Sequence, residues 1–213
     1  MDTAAQLLAI AASAFVIGLS GAMMPGPLLA VTITETARRG PIAGPLLMVG
    51  HMILEAVLVL AVALGLAAVL KHPTVIGCIS LAGGAVMLWM GHGMLRSAKR
   101  ATLDVDGSTA STMHPVAAGI VVSLSNPYWT IWWATIGIGY LVMGARYGAP
   151  GVLAFFIGHI LSDFAWYTLV SVALAQGRRI LPDRVYRVLI ALCGAALLAF
   201  GAWFLSTGAA AFV

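Results

Sequence analysis

Two pairs of titratable residues lie within otherwise apolar stretches of the chain. His51 precedes Glu55 by four residues, and His159 precedes Asp163 by the same spacing. Residues four apart share one face of an α-helix, so each spacing places an imidazole beside a carboxyl group. Histidine titrates near neutral pH and burial disfavours an ionised carboxylate, so each pair could take up and release protons. The four residues are therefore predicted to couple protons.

The same side chains allow other interpretations. They could be polar contacts that hold membrane helices together. Two imidazoles and two carboxylates could also carry a transition metal as cargo, although neither a resident metal nor a cofactor is predicted. An intramembrane enzyme would need a buried Ser–His dyad. Ser162 beside His159 is the one faint candidate, and we expect it to lie on a helix surface.

Two proline motifs could create a binding site. Pro25-Gly26-Pro27 and Asn126-Pro127 both fall inside long uncharged runs. Proline removes a backbone donor and clashes with the preceding turn, so each motif is predicted to interrupt a helix rather than only kink it. The exposed N-termini of half-helices attract a carboxylate, and freed carbonyls attract a cation. We therefore predict that Pro25, Gly26, Pro27, Asn126 and Pro127 bind the substrate.

Two aromatic residues follow Asp163 on the same helix face. Trp166 and Tyr167 come three and four residues after it. Residues at these spacings are neighbours on a helix, so both could form a wall of the pocket. Trp and Tyr are also enriched at the edges of membranes, which leaves a lipid-facing position as the alternative.

The composition identifies the elements that must position these residues. Of 213 residues 62% are hydrophobic and 8% are charged, whereas a soluble domain carries roughly 25% charged residues. A spanning helix needs roughly 20 apolar residues, and the uncharged runs are long enough for six. The predicted helices are 4–24 with a tail to about 38, then 43–70, 74–96, 115–143, 149–175 and 184–207.

The two halves of the chain resemble each other. Gly50-His51-Met52-Ile53-Leu54-Glu55 matches Gly158-His159-Ile160-Leu161-Ser162-Asp163 at an offset of 108, and Gly84 and Gly91 match Gly194 and Gly201 at 110. A unit of three helices crosses the membrane an odd number of times, so its second copy is inverted. The prediction is an all-α integral membrane protein. It forms one transmembrane domain (1–213) of six helices in two inverted three-helix repeats (1–96 and 115–213), with helices 1 and 4 broken.

The basic residues predict the orientation. Nine Lys and Arg residues fall on one side of a six-helix arrangement and two, Lys71 and Arg146, on the other. The nine are Arg38, Arg39, Arg96, Lys99, Arg100, Arg178, Arg179, Arg184 and Arg187. Short basic loops stay in the cytoplasm, so the loop 97–114 is predicted to be cytoplasmic. Both termini are predicted to lie on the outer side of the inner membrane. Topology accounts for these charges without nucleic acid.

The motifs resemble one transporter family. Pro25-Gly26-Pro27, then Thr36-Ala37-Arg38-Arg39-Gly40, and later Asn126-Pro127 resemble the LysE/RhtB family of amino-acid exporters over nearly the whole chain. Leu28 and His51 stand where family members often have Asn and an acidic residue, so the motifs do not name the substrate. The resemblance implies export of an amino acid or a similar small solute, driven by protons. The expected partners are that solute and the lipid bilayer, with a homo-oligomer left open.

Overall fold

The structure is a computed structural model that describes residues 3–66, 72–99, 113–177 and 182–212. These residues form helices and no strand. The bounds are α1 Thr3–Ala22, α2 Pro27–Arg39, α3 Ala43–Ala61, α4 Pro73–Ala98, α5 Pro115–Leu124, α6 Pro127–Trp132, α7 Ile138–Ala145, α8 Gly148–Gly177 and α9 Asp183–Ala210. Single π-helical segments at Val62–Leu66 and Trp133–Gly137 follow α3 and α6.

Five of the described helices are long and apolar enough to cross a membrane. They are Thr3–Ala22, Ala43–Leu64, Pro73–Ala98, Gly148–Gly177 and Asp183–Ala210. The predicted all-α membrane fold is therefore confirmed. The predicted fourth helix, 115–143, is broken as expected and comprises α5, α6, a π-helical segment and α7, of which α5 has only ten residues. Most of the predicted loop 97–114 and the end of the predicted helix 43–70 lie outside the described residues.

Both predicted helix interruptions are present. The first helix ends at Ala22, and the predicted tail is a separate helix that begins at Pro27, after an extended Gly26 with φ −153° and ψ −176°. The second interruption lies between Leu124 and Pro127. Both following helices start with proline, because the first residues of a helix have no intrahelical use for an N–H group.

Asn126 satisfies a different group from the one expected. The sequence suggests that its side chain bonds carbonyls freed by Pro127. Instead, Asn126 Oδ1 accepts a hydrogen bond of 3.1 Å from the Tyr128 amide. This is an N-cap, in which a side-chain oxygen replaces the missing partner of an amide in the first turn. Asn126 therefore fixes the start of α6.

Glycines bring α4 and α9 into close backbone contact. A Cβ on Gly84 would lie 3.0 Å from the Gly201 carbonyl oxygen, and one on Gly91 would lie 2.7 Å from that of Gly194. The reverse contacts, from Gly201 to Gly84 and from Gly194 to Gly91, would be 2.9 and 3.0 Å. Small residues at such positions let membrane helices approach closely. These are the four glycines that the sequence repeat pairs at an offset of 110.

The helices that carry the His–acid pairs are held in the same way. A Cβ on Gly50 of α3 would collide with the Val116 carbonyl of α5, and one on Gly158 of α8 would collide with the Ala11 carbonyl of α1. Gly50 and Gly158 are equivalent in the repeat, and Ala11 and Val116 are 105 residues apart. Contacts in one half therefore recur at corresponding positions in the other.

Candidate functional site

Helices α3 and α8 bring the two His–acid pairs together in the interior. His51 and Glu55 lie on α3, and His159 and Asp163 lie on α8. All four side chains are buried, with Glu55 only 1% exposed. Buried ionisable groups are costly in a membrane protein and are placed at functional sites by default. The four residues are called the central cluster below.

Glu55 lies between the two imidazoles. His51 Nε2 is 3.1 Å from Glu55 Oε1, and His159 Nε2 is 3.0 Å from Glu55 Oε2. Both imidazoles also approach Asp163 Oδ2, at 3.7 Å from His51 and 3.6 Å from His159. Each Nε2 therefore faces carboxylates from both helices, and a proton held at the centre has several acceptors within reach.

Two indoles stabilise Glu55 and not Asp163. Trp129 Nε1 donates a hydrogen bond of 2.9 Å to Glu55 Oε1, and Trp133 Nε1 donates one of 2.7 Å to the same oxygen. Asp163 Oδ2 is buried without a hydrogen-bond partner among the described residues. Hydrogen bonds to a carboxylate favour its charged form. The two carboxyl groups therefore differ in their environment, although the sequence repeat makes them equivalent.

The two histidines also differ. His51 Nδ1 lies 2.7 Å from Ser123 Oγ of α5. His159 stacks between Trp132, at 4.5 Å between ring centres, and Phe155, at 5.9 Å. Its Nδ1 is buried without a hydrogen-bond partner in the described part of the chain. A partner on the second ring nitrogen fixes the tautomer of a histidine, so His51 is held by a hydrogen bond and His159 by aromatic packing.

Two small cavities connect the central cluster with the helix interruptions. The first, of about 40 Å³, is lined by the cluster together with Gly21, Ala22, Leu28, Asn126, Tyr128, Trp129, Trp132 and Tyr167. The second, of about 20 Å³, is lined by Pro25, Gly26 and Asn126 among others. A water needs roughly 10–15 Å³, whereas small-molecule pockets measure roughly 300–1,000 Å³. This conformation is therefore closed around a space for a few waters, and a solute requires the helices to separate.

The predicted binding residues lie at different distances from this space. Pro25, Gly26 and Asn126 line it, as does Tyr167, which faces both cavities. Pro27 is buried at the start of α2, and Pro127 packs against Gly83 of α4. Trp166 packs against an apolar cluster that contains Leu47, Met48 and Tyr167.

The residues that the sequence did not assign to the site are Ser123, Trp129 and Trp133. The sequence did offer one signal, since Trp129 and Trp133 are four residues apart just after the second interruption and so share a face. An indole next to lipid has the same spacing, which left their role open. Nothing in the sequence places Ser123 beside His51, because that contact joins residues 72 positions apart.

The site bears on the metal and enzyme interpretations. His51, Glu55 and Asp163 offer donor atoms within 4.8 Å of one another, so they could hold a divalent cation. Ser162 is fully buried and not on the helix surface as expected, and its Oγ donates a 2.6 Å hydrogen bond to the His159 backbone carbonyl. A nucleophilic serine would instead bond the imidazole, so the Ser–His dyad is not formed.

Buried titratable groups between interrupted helices, in an apolar chain whose described secondary structure is entirely helical, are typical of multi-pass membrane transporters. The chain belongs to the LysE type translocator family, whose pattern matches residues 19–208. It is 32% identical to the chemotactic transduction protein ChpE of Pseudomonas aeruginosa, over 90% of this chain and 95% of that protein. It is 27% identical to the "Putative amino acid efflux protein YcgF" of Bacillus subtilis, over 90% and 93%. No solved structure matches the chain.

Proposed function

We propose that this protein exports an amino acid or a similar small zwitterionic solute across the inner membrane in exchange for protons. The observation that carries the proposal is the central cluster, in which equivalent pairs from two helices share one buried space beside both helix interruptions. The family, and the name of the relative YcgF, support efflux as the direction and an amino acid as the class of solute.

The proposed architecture is six spans in two inverted repeats. The helical pieces α5 to α7 would together form the fourth span, with a break that corresponds to the one between α1 and α2. The reciprocal glycine contacts support this arrangement. Gly84 contacts Gly201, and Gly194 and Gly91, which correspond to them in the repeat, contact each other. Inverted repeats around a midplane site are typical of transporters with alternating access.

The proposed division of labour follows from the two kinds of group. Glu55, Asp163, His51 and His159 would bind and release the coupling protons. The interruptions at Pro25-Gly26-Pro27 and Asn126-Pro127 would bind the solute through backbone groups that no helix uses. Because the cavities hold only a few waters, the solute would enter after a movement that separates the helices.

The test is uphill transport by the purified protein in proteoliposomes. Vesicles loaded with one radiolabelled amino acid at a time should release it against its gradient only when a pH gradient is imposed and the protein is present. Efflux that ignores the pH gradient would contradict proton exchange. No efflux of any amino acid in the panel would contradict the solute class.

A second candidate function is export of a divalent transition metal. It is favoured by the three donor residues that lie within 4.8 Å of one another, since imidazole and carboxylate together suit such metals. The two functions can be distinguished with proteoliposomes loaded with Zn²⁺, Co²⁺ or Ni²⁺ and a metal-sensitive dye, whose signal reports the release of metal. Metal efflux without amino-acid efflux would favour this candidate.

A further inference from the structure

Hydroxyl groups follow one path away from the central cluster, between α2 and α8. Tyr167 and Ser171 come four and eight residues after Asp163 and continue its helix face. Thr32 and Thr36 lie one turn apart on α2, and Thr36 contacts Ser171 directly. These four residues are called the hydroxyl seam below. At 1.5 Å per residue, Ser171 lies about 12 Å beyond Asp163 along the helix.

The seam is closed by a direct contact in this conformation. Thr36 Oγ1 donates a hydrogen bond of 3.0 Å to Ser171 Oγ. All four seam residues are buried, and Tyr167 at its inner end lines both cavities. Buried hydroxyls in a membrane protein need partners, and in an opened seam water could supply them. An opened seam would therefore join the cavity to the basic end of α2.

The opposite side of the central cluster is apolar. Phe155, four residues before His159, belongs to a packed group with Ile10, Ala14, Leu58, Trp132, Trp133 and Leu141. The repeat equivalents of Tyr167 and Ser171, at an offset of 108, are Val59 and Ala63. The two halves therefore differ in this respect. A hydroxyl path exists on one side of the cluster, and a closely packed apolar group fills the other.

Glycines bound helix α2 at both of its ends. It is bounded by the extended Gly26 before it and by Gly40 after it. Gly40 has φ +78°, a conformation that residues with a side chain rarely adopt. At the end of α2, Glu35 is buried and pairs with Arg39 at 2.7 Å and Arg38 at 3.5 Å within the same helix. These ion pairs lie within α2, whereas Arg39 Nη2 also donates a 3.4 Å hydrogen bond to the Met113 backbone carbonyl, which a movement of α2 would have to break or carry along.

We propose that α2 is a gate, and that its movement away from α8 opens the hydroxyl seam so that solute and protons reach the central cluster from the Arg39 end. The inference rests on the proposed transport function for what passes through the seam. The existence of the path is independent of the identity of the solute. The distribution of Lys and Arg predicts that the end of α2 that carries Arg39 faces the cytoplasm.

Access can be measured without transport. In a variant that lacks both native cysteines (C78A/C193A), single cysteines replace either Ser171 of the seam or Ala14 of the apolar group, both 0% exposed. A charged methanethiosulfonate is added to inverted membrane vesicles. We expect S171C to react about tenfold faster than A14C, because a buried site reacts only through local opening. Both must react fully after denaturation in detergent.

A reversible lock tests the gate. The hydroxyls of Thr36 and Ser171 touch, so the pair T36C/S171C can be bridged by oxidation if the Cβ atoms lie about 3.8 Å apart. Oxidation should abolish efflux, reduction should restore it, and the single variants should not respond to either treatment. Equal labelling of A14C and S171C, labelling of neither, or full efflux by a verified cross-linked pair would overturn the proposal. Labelling of S171C alone, with no amino acid transported, would instead contradict only the proposed function.

Discussion

His51 and Ser123 form a 2.7 Å contact that the second half of the chain does not repeat. The residue that corresponds to Ser123, at the offset of 105 seen for Ala11 and Val116, is Gly18. A Cβ on Gly18 would lie only 2.9 Å from His159 Nδ1. In the first half, Ser123 supplies a hydroxyl that orients His51. In the second half, the corresponding Gly18 has no side chain, and aromatic rings pack against His159 instead. The site is therefore asymmetric at its centre.

The first prediction tests this hydrogen bond. Ser123→Ala removes the only hydroxyl within bonding distance of His51 in the described residues, which should lower stability by about 1 kcal/mol and reduce efflux. Ser162→Ala is the matched control, because that buried hydroxyl bonds only a carbonyl of its own helix. The measurements are thermal unfolding in detergent and the initial rate of efflux. If both alanine variants export equally well, orientation of His51 by Ser123 is unimportant.

The second prediction concerns the contact of α4 with α9. Gly91→Ala places a methyl group 2.7 Å from the Gly194 carbonyl, so the helices must separate. Overpacking of this kind costs about 1–3 kcal/mol. Gly93→Ala, two residues along, has nothing within 4 Å of the new atom and should be neutral or stabilising, since alanine favours helix. The measurement is the midpoint of thermal unfolding of both variants. Equal midpoints would argue against close packing of α4 with α9.

Sequence spacing anticipated the placement of the His–acid pairs. An interval of four residues fixes a shared helix face locally, so His51 beside Glu55 needed no knowledge of the tertiary structure. Their meeting with His159 and Asp163 agrees with the predicted repeat, in which equivalent positions near the midplane of two inverted halves would approach each other. Proline positions likewise anticipated both interruptions, since the missing donor is a local property.

The indole and hydroxyl partners could not be obtained in this way. Trp129 and Trp133 bond Glu55, but an indole facing lipid has the same residue type and the same spacing. No expectation linked Ser123 with His51, because only the crossing of α3 with α5 brings the two residues together. The break at Asn126-Pro127 was predicted, but the π-helical segment Trp133–Gly137 that follows it was not, because a hydrophobic run measures length and not local helix geometry.

The third prediction concerns the first interruption. Replacing Pro25 and Pro27 by alanine restores donors and removes ring clashes, so α1 and α2 should join more readily into one helix and efflux should be lost. Pro73→Ala is the control, because Pro73 also starts a helix but lines neither cavity. Expression and thermal unfolding should stay normal in both variants. Undiminished efflux by the double variant would mean that the motif is only a kink.

The fourth prediction concerns orientation. The excess of Lys and Arg on one side predicts that both termini face outward. A reporter that is active only outside the cytoplasm should work when fused after Val213, and one that is active only inside should not. A fusion within the predicted cytoplasmic loop 97–114 should give the opposite pattern. Activity of the cytoplasmic reporter at Val213 would show that the number of spans or the orientation is wrong.

The fifth prediction concerns proton coupling, and it separates the two carboxyl groups. Asp163→Asn and Glu55→Gln keep the size of each side chain but cannot titrate. Asp163 Oδ2 faces both imidazoles only at 3.6–3.7 Å and has no hydrogen-bond partner to lose in the described structure, so the asparagine variant should lose less stability than the glutamine variant. Glu55 accepts bonds from two indoles and faces both imidazoles, so the glutamine variant should also lose stability.

Coupling predicts a specific pattern in transport. A variant that lacks a coupling carboxylate should lose uphill efflux driven by a pH gradient and keep downhill exchange of solute across the membrane. A carboxylate with a purely structural role would instead affect both modes equally, through the amount of folded protein. Efflux and exchange are therefore measured side by side in the same proteoliposomes, normalised to folded protein. If both variants pump uphill at the normal rate, protons do not pass through Glu55 and Asp163, and the central cluster holds helices together.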